Sequence, residues 1–350
     1  MKTTARKIAG LLVLLTAGAC EASVDPPVEE APTPGAPGTT LPRGSDEGGA
    51  PTQGPAPASA FSCTPARPGK VGDATLKVKV GDKERTAFVH VPKSYDATKG
   101  TTLVLGFHGY GGSAEQMRSQ TSLDAASDKH GFIVAYAQGT GVSKGFNGGD
   151  CCGGAAWNDG ADDLAFGREL VKAISKDFCV DPKHVHSAGF SNGGFMSYRF
   201  ACEASDLFAS VASVSGVLGT EPEKCQPKRP VPMLHVHGTA DRTVPFEGGG
   251  AAAGLGTLAG ITFRSVTESI ATLRQRYGCT TPPKDTFKNG DTRCQAWAGC
   301  KEDASVQLCV VTEGGHQWPG GESTPLSGKT STDLVATKAV VDFFLANPMK

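Results

Sequence analysis

The chain is 350 residues long, and its 34 Lys and Arg side chains nearly balance 35 Asp and Glu, leaving a net charge of −1. Such a balance speaks against a surface built to hold nucleic acid or another polyanion. The length admits either one large domain or two.

The first residues read as a secretory signal. Met1-Lys2 and the basic pair Arg6-Lys7 precede a leucine- and alanine-rich run at 8–19, whose apolar core is too short to span a bilayer as a helix. The run ends in Thr16-Ala17-Gly18-Ala19-Cys20, which resembles a bacterial lipobox except that Ala17 stands where leucine is usual. Residues 1–20 are therefore expected to be a signal peptide of lipoprotein type, with Cys20 carrying the lipid; ordinary cleavage after Ala17 or Ala19 is the alternative. Residues 21–62 are Pro, Gly, Ala, Thr and acidic side chains with almost nothing large and apolar. They cannot bury enough surface to fold and are expected to form a solvated tether ahead of a domain at 63–350. Setting Cys20 apart leaves ten of the eleven cysteines, an even number in an exported chain, so up to five disulfides are expected. Adjacent Cys151 and Cys152 are expected to staple two distant segments rather than bridge each other. None of the cysteines has C-x-x-C spacing, which disfavours a metal site.

Segments 74–80 and 85–91 read as antiparallel partner strands. The continuous apolar run 101–107 reads as a strand buried on both faces, 114–128 as a helix and 132–137 as a strand. Helix 162–178 opens with Asp162-Asp163, read as caps rather than as a catalytic carboxylate pair. A strand at 184–188, a helix from 195, and strands at 208–214 and 232–236 follow. Helix 265–277, strand 305–311 and helix 332–346 complete the pattern. The stretch 280–299, with Pro282-Pro283 and Asn289-Gly290, is expected to be an irregular excursion tied by cysteines. Buried strands alternating with helices indicate an α/β fold with a mainly parallel sheet.

Sites in such sheets lie beyond the carboxyl ends of the strands. Between a strand and a helix stands Gly189-Phe190-Ser191-Asn192-Gly193-Gly194, the setting of a nucleophile elbow. A second G-x-S-x-G, Gly141-Val142-Ser143-Lys144-Gly145, has no helix after it and reads as a loop. His108-Gly109-Tyr110-Gly111-Gly112 follows strand 101–107 and has the character of an oxyanion loop. The N–H of Asn192, with that of Tyr110 or Gly109, would form the hole. Asp241 follows strand 232–236, and His316, the sole histidine downstream of it, follows strand 305–311. The order Ser, Asp, His is that of α/β-hydrolases. The same-face pairs His184/His186 and His235/His237 are read as hydrogen-bonded packing rather than metal ligands.

Across most of residues 84–346 these features resemble secreted esterases of the poly(3-hydroxybutyrate) depolymerase-like and feruloyl esterase type, within carbohydrate esterase family one. The resemblance rests on the segments above together with Arg85-Thr86, Tyr95-Asp96, Cys151-Cys152-Gly153, Trp157-Asn158, Asp162-Asp163, His237-Gly238-Thr239, Val244-Pro245, Tyr277-Gly278-Cys279 and Trp318-Pro319-Gly320. Phe190, where methionine is frequent, and Leu164-Ala165 are departures that do not touch the chemistry. The resemblance implies a disulfide-stapled α/β-hydrolase fold and a serine esterase needing neither cofactor nor metal. Ser191, Asp241 and His316 would form the triad, with Trp157, Trp318 and His108 near the substrate. Hydroxycinnamoyl or acetyl esters of plant polysaccharide such as xylan are the expected substrates, with hydroxybutyrate polymers or oligomers second. A serine peptidase, an acyltransferase and a non-catalytic surface lipoprotein are the other readings. No nucleic acid and no obligate protein partner are expected, and the location is extracellular, anchored to the envelope if Cys20 is lipidated.

Overall fold

A computed structural model describes residues 60–152, 160–250 and 261–350. The expected signal, Cys20, nearly all of the tether, and Trp157 lie outside the described residues.

The chain enters through a hairpin of β1 (Gly72–Val80) and β2 (Lys83–Val91), whose register runs from Gly72↔Val91 to Val80↔Lys83. Along β2 the alternation is strict, with Arg85, Ala87, Val89 and Val91 buried, as one covered face requires. The centre consists of β3 (Thr101–Phe107), β4 (Ile133–Ala137), β5 (Val180–Phe190), β6 (Ser210–Val214), β7 (Met233–Gly238) and, later in the chain, β12 (Val306–Val311). A two-strand ribbon, β8 (Gly249–Gly250) with β9 (Thr262–Phe263), stands apart. A second hairpin, β10 (Lys284–Asn289) with β11 (Thr292–Trp297), completes one sheet ordered β1-β2-β4-β3-β5-β6-β7-β12-β11-β10. Strands from β4 to β12 in that order run parallel; the hairpins at both ends are antiparallel.

Helices cover both faces. Leu103, Leu105 and Phe107 point into one core with residues of α3 (Asp163–Asp177), α4 (Asn192–Glu203) and α5 (Val266–Tyr277). Val104 points the other way, into a core shared with α1 (Ala114–Thr121), α2 (Leu123–His130) and α6 (Ala336–Ala346). Burial on both faces explains why the central strands read as continuous apolar runs.

Three expectations need correction. The helix expected at 114–128 is two helices broken at Ser122, which adopts φ 52°, ψ 31°. Thr121 there bonds the Met117 carbonyl through its hydroxyl, the kind of local competition that weakens a Ser/Thr-rich turn. The stretch 280–299 is largely the β10–β11 hairpin. Its outer strand is mostly exposed and so lacks the apolar alternation that marks a strand, while Asn289-Gly290 is a hairpin signal. Third, Cys151 and Cys152 bridge each other. The turn that permits it places Cys152 at φ 60°, and the other eight described cysteines are already paired: Cys63–Cys179, Cys202–Cys225, Cys279–Cys300 and Cys294–Cys309. The last two tie the hairpin at its base and to β12.

Candidate active site

Ser191 sits between β5 and α4 at φ 52°, ψ −118°, a backbone region that costs a non-glycine residue about 1–3 kcal/mol. The surroundings hold it there. Its N–H donates to the Val214 carbonyl at 2.8 Å and its carbonyl accepts from the Phe195 N–H at 3.0 Å. A Cβ on Gly189 would lie 1.9 Å from the Gly193 carbonyl oxygen, and one on Gly193 would lie 1.9 Å from that of Phe107. Both contacts are with backbone, so only glycine fits on either side of the serine. The Ser191 hydroxyl makes no capping bond to its own helix. Ser143 has none of this setting: it lies in a tight turn bridged between Thr140 and Gly145. Its carbonyl instead accepts the Gly111 N–H at 2.8 Å, so the second motif buttresses the glycine loop.

Asp241 and His316 leave the ends of neighbouring strands, β7 and β12, which are paired in register Val311↔Gly238. Backbone bonds from Thr239 N–H to Val311 O and from Ala240 N–H to Gly314 O fasten the two exits together. The imidazole Nδ1 of His316 lies 2.7 Å from Asp241 Oδ2. Asp241 Oδ1 accepts the backbone N–H groups of Thr243 and Val244 at 2.9 and 2.8 Å. Burial pushes the Asp241 carboxyl up, but the imidazolium charge of His316 and the hydrogen bonds from His237 and His316 outweigh it and hold the group well below the usual carboxylate range. The ring of Phe190, which precedes Ser191 in the chain, packs against His316 with ring centroids 5.0 Å apart. Glu313, another carboxylate near the histidine in sequence, is exposed to solvent.

The glycine loop after β3 abuts the serine: a Cβ on Gly109 would lie 3.3 Å from Ser191 Cβ. The N–H groups of Gly111 and Gly112 are spent on Ser143 O and Gly109 O. Asn192 opens α4, where a first-turn N–H has no intrahelical acceptor. Its side chain is committed to the loop opposite, accepting the Phe146 N–H at 2.7 Å and donating to the Phe146 carbonyl at 2.9 Å. Cys151 Sγ lies 3.7 Å from the same amide nitrogen. One residue on, Asn147 donates its N–H to Asp163, which also pairs with Arg85 at 2.8 Å. Asp162 is a cap, as expected, but Asp163 is not. Its place at a helix start gives no sign of the buried arginine it meets.

Two expected substrate contacts are not available for that role. His108 is 2% exposed. Its Nδ1 donates to the Gly109 carbonyl at 2.7 Å and its Nε2 accepts the Gly139 N–H at 2.9 Å. Burial pushes its pKa down to about 4, so a neutral ring braces the loop from behind. Trp318 is fully buried, donating Nε1–H to Thr337 Oγ1 at 3.0 Å. It is core packing; proximity to His316 in sequence does not reveal which way its side chain turns. Of the same-face histidine pairs, His235 bonds His237 and His186 bonds Ser210, while His184 lies 3.7 Å from Asp181.

A mainly parallel sheet covered on both faces, with a serine elbow at one strand end and a carboxylate-bonded histidine at two others, defines the class of α/β-hydrolases. Residues 79–296 match the family model described as putative esterase, and the chain belongs to that family. The matched span includes Ser191 and Asp241 and ends ahead of His316. The chain is 34% identical over 238 residues to feruloyl esterase B of Piromyces equi, covering 66% of this chain but only 42% of that protein. It is 31% identical to the putative esterase NocK of Nocardia uniformis subsp. tsuyamanensis over 98% of both chains. An acetyl xylan esterase structure from Aspergillus awamori superposes with a TM-score of 0.56 at 16% identity, over 78% of this chain and 99% of that one. That structural likeness supports the fold. Membership of the family makes the chain a carboxylic ester hydrolase.

Proposed function

We propose that the protein is an exported serine esterase in which Ser191, His316 and Asp241 act as nucleophile, general base and orienting acid. The observation that carries this is the 2.7 Å contact between His316 Nδ1 and Asp241 Oδ2, beside a serine held in a strained turn. With the Nδ1 proton donated to the carboxylate, the lone pair of Nε2 is left to take the Ser191 hydroxyl proton. Ser191 Oγ attacks the ester carbonyl, and the N–H groups of Asn192 and Tyr110 receive the oxyanion. His316 returns the proton to the departing alcohol, leaving an acyl-Ser191, which a water activated by His316 then hydrolyses.

The substrates are hydroxycinnamoyl or acetyl esters on plant polysaccharide. Support comes from the relative named feruloyl esterase. Export is supported by the leader at 1–20 and by five disulfides. The division into signal 1–20, tether 21–62 and catalytic domain 63–350, with Cys20 as lipid site, belongs to the same proposal. Palmitate labelling lost in Cys20→Ser tests the anchor. The substrate is tested by kcat/KM for methyl ferulate, an acetylated xylo-oligosaccharide and a 3-hydroxybutyrate oligomer. A tenfold preference for the last, about 1.4 kcal/mol of transition-state discrimination, would overturn the ranking.

A further inference from the structure

From Asp241 a continuous chain of buried hydrogen bonds runs into the protein. His237 Nε2 lies 2.8 Å from the Val244 carbonyl and 3.3 Å from Asp241 Oδ2. His237 Nδ1 lies 3.0 Å from His235 Nε2, with the two ring planes within 9° of each other. His235 Nδ1 lies 2.7 Å from the hydroxyl of Tyr198. Tyr198, His235 and His237 are each at most 1% exposed. His235 and His237 are two apart on β7 and so share a face. Tyr198 comes from α4, the helix that Ser191 begins.

With both rings neutral, the acceptors fix every proton in this chain. A carbonyl and a carboxylate only accept, so His237 must carry its proton on Nε2. Its Nδ1 is then an acceptor, which obliges His235 to donate from Nε2. The remaining His235 nitrogen must accept, and the Tyr198 hydroxyl supplies the donor. Protonating His237 would set two N–H groups face to face at 3.0 Å and require His235 and Tyr198 to reverse together. Burial independently holds His235 far below the usual histidine range and Tyr198 far above that of tyrosine.

We infer that His237 is a positioning residue for the ester hydrolysis, a donor through Nε2–H to Asp241 Oδ2 whose tautomer is locked by His235 and Tyr198. The inference rests on the assignment of Asp241 and His316 proposed above. Oδ2 is the oxygen that His316 uses, so the second donor fixes where that oxygen points and drains some of its basicity. No substrate is touched, and the effect belongs in kcat rather than KM.

The test compares His237→Leu, His237→Gln and Tyr198→Phe in the full chain, with folding checked by circular dichroism. Glutamine carries an acceptor and a donor in the same 1,3 relationship as the imidazole nitrogens. His237→Leu should lower kcat at least tenfold with KM within twofold, and His237→Gln should recover most of the loss. With one donor fewer, Asp241 holds the imidazolium more tightly, so the acid limb of kcat/KM should move to higher pH in His237→Leu. The titratable groups facing this network are Asp241, His316, His235, Tyr198 and, beyond Tyr198, Tyr277. Tyr198→Phe should cost kcat a few-fold on its own and nothing further in a His237→Leu background, the signature of one connected chain. The inference is overturned if kcat in folded His237→Leu stays within twofold, if glutamine recovers nothing, or if the two losses simply multiply. Should His237→Leu fail to fold, Tyr198→Phe and His237→Gln still decide, since an unchanged pH profile and kcat in Tyr198→Phe with an inactive His237→Gln refutes the lock. Asp241→Asn separates the two levels: if it is silent the triad assignment falls and takes this inference with it, whereas a large loss there beside an unaffected His237→Leu refutes the lock alone.

Discussion

Replacing Asp241 by asparagine changes one oxygen for an NH2 group, and the structure dictates which oxygen. Oδ1 accepts two backbone N–H groups, from Thr243 and Val244, so the amide oxygen must take that place. The NH2 is then forced into the position of Oδ2, facing His316 Nδ1 at 2.7 Å. A donor there can only meet a lone pair, so His316 moves its proton to Nε2 and can no longer take one from Ser191. The geometry stays while the base is lost, for which about 10⁴ in kcat is the expected scale, close to 5.5 kcal/mol. The assay is steady-state hydrolysis of methyl ferulate and of p-nitrophenyl acetate, with the imidazole tautomer read by nitrogen NMR. A folded Asp241→Asn enzyme within tenfold of the parent, or one whose His316 keeps its proton on Nδ1, would refute the reasoning.

Ser143→Ala should leave kcat within a few-fold, because only the Ser143 backbone carbonyl is used, at Gly111; steady-state kinetics check this. Removing the Cys63–Cys179 bridge, which closes a separation of 116 residues, should cost up to about 5 kcal/mol in urea unfolding by the chain-entropy relation. Activity at moderate temperature should survive, since Cys179 adjoins the end of β5 opposite Ser191. For His108, whose folded pKa is pushed down to about 4 by burial, the unfolded chain binds the proton first as pH falls. Its contribution is fully present above about pH 6.5 and is lost towards pH 4, up to about 3 kcal/mol. His186, pushed to about 3, has the same sign, so the measurement is the difference in unfolding free energy between parent and His108→Gln across pH 4–7. A parallel pair of curves would contradict the expectation.

The elbow is legible in the sequence because its glycines, its strand and its helix are all local signals, and Gly189 and Gly193 are demanded by contacts a few residues away or with one neighbouring strand. Asp241 and His316 are legible for a different reason: each directly follows a buried parallel strand, and topology sends such residues to one edge of the sheet. Direction is what the sequence withholds. Trp318 is two residues from His316 and His108 opens the glycine loop, yet both side chains turn into the protein, since their packing partners come from distant segments. The β10–β11 hairpin is masked by an outer strand with no apolar face. His237 is a different case. Its i, i+2 pairing with His235 is visible, but its relation to Asp241 needs the turn between them, which only the fold supplies.

The central claim is that Ser191 is the nucleophile. Treatment of the full chain with a fluorophosphonate, followed by intact mass and peptide mapping, tests it most directly. A single adduct is expected, on the peptide carrying Ser191, absent from Ser191→Ala and retained in Ser143→Ala. An adduct on Ser143, or no adduct on an enzyme that hydrolyses esters, would contradict it.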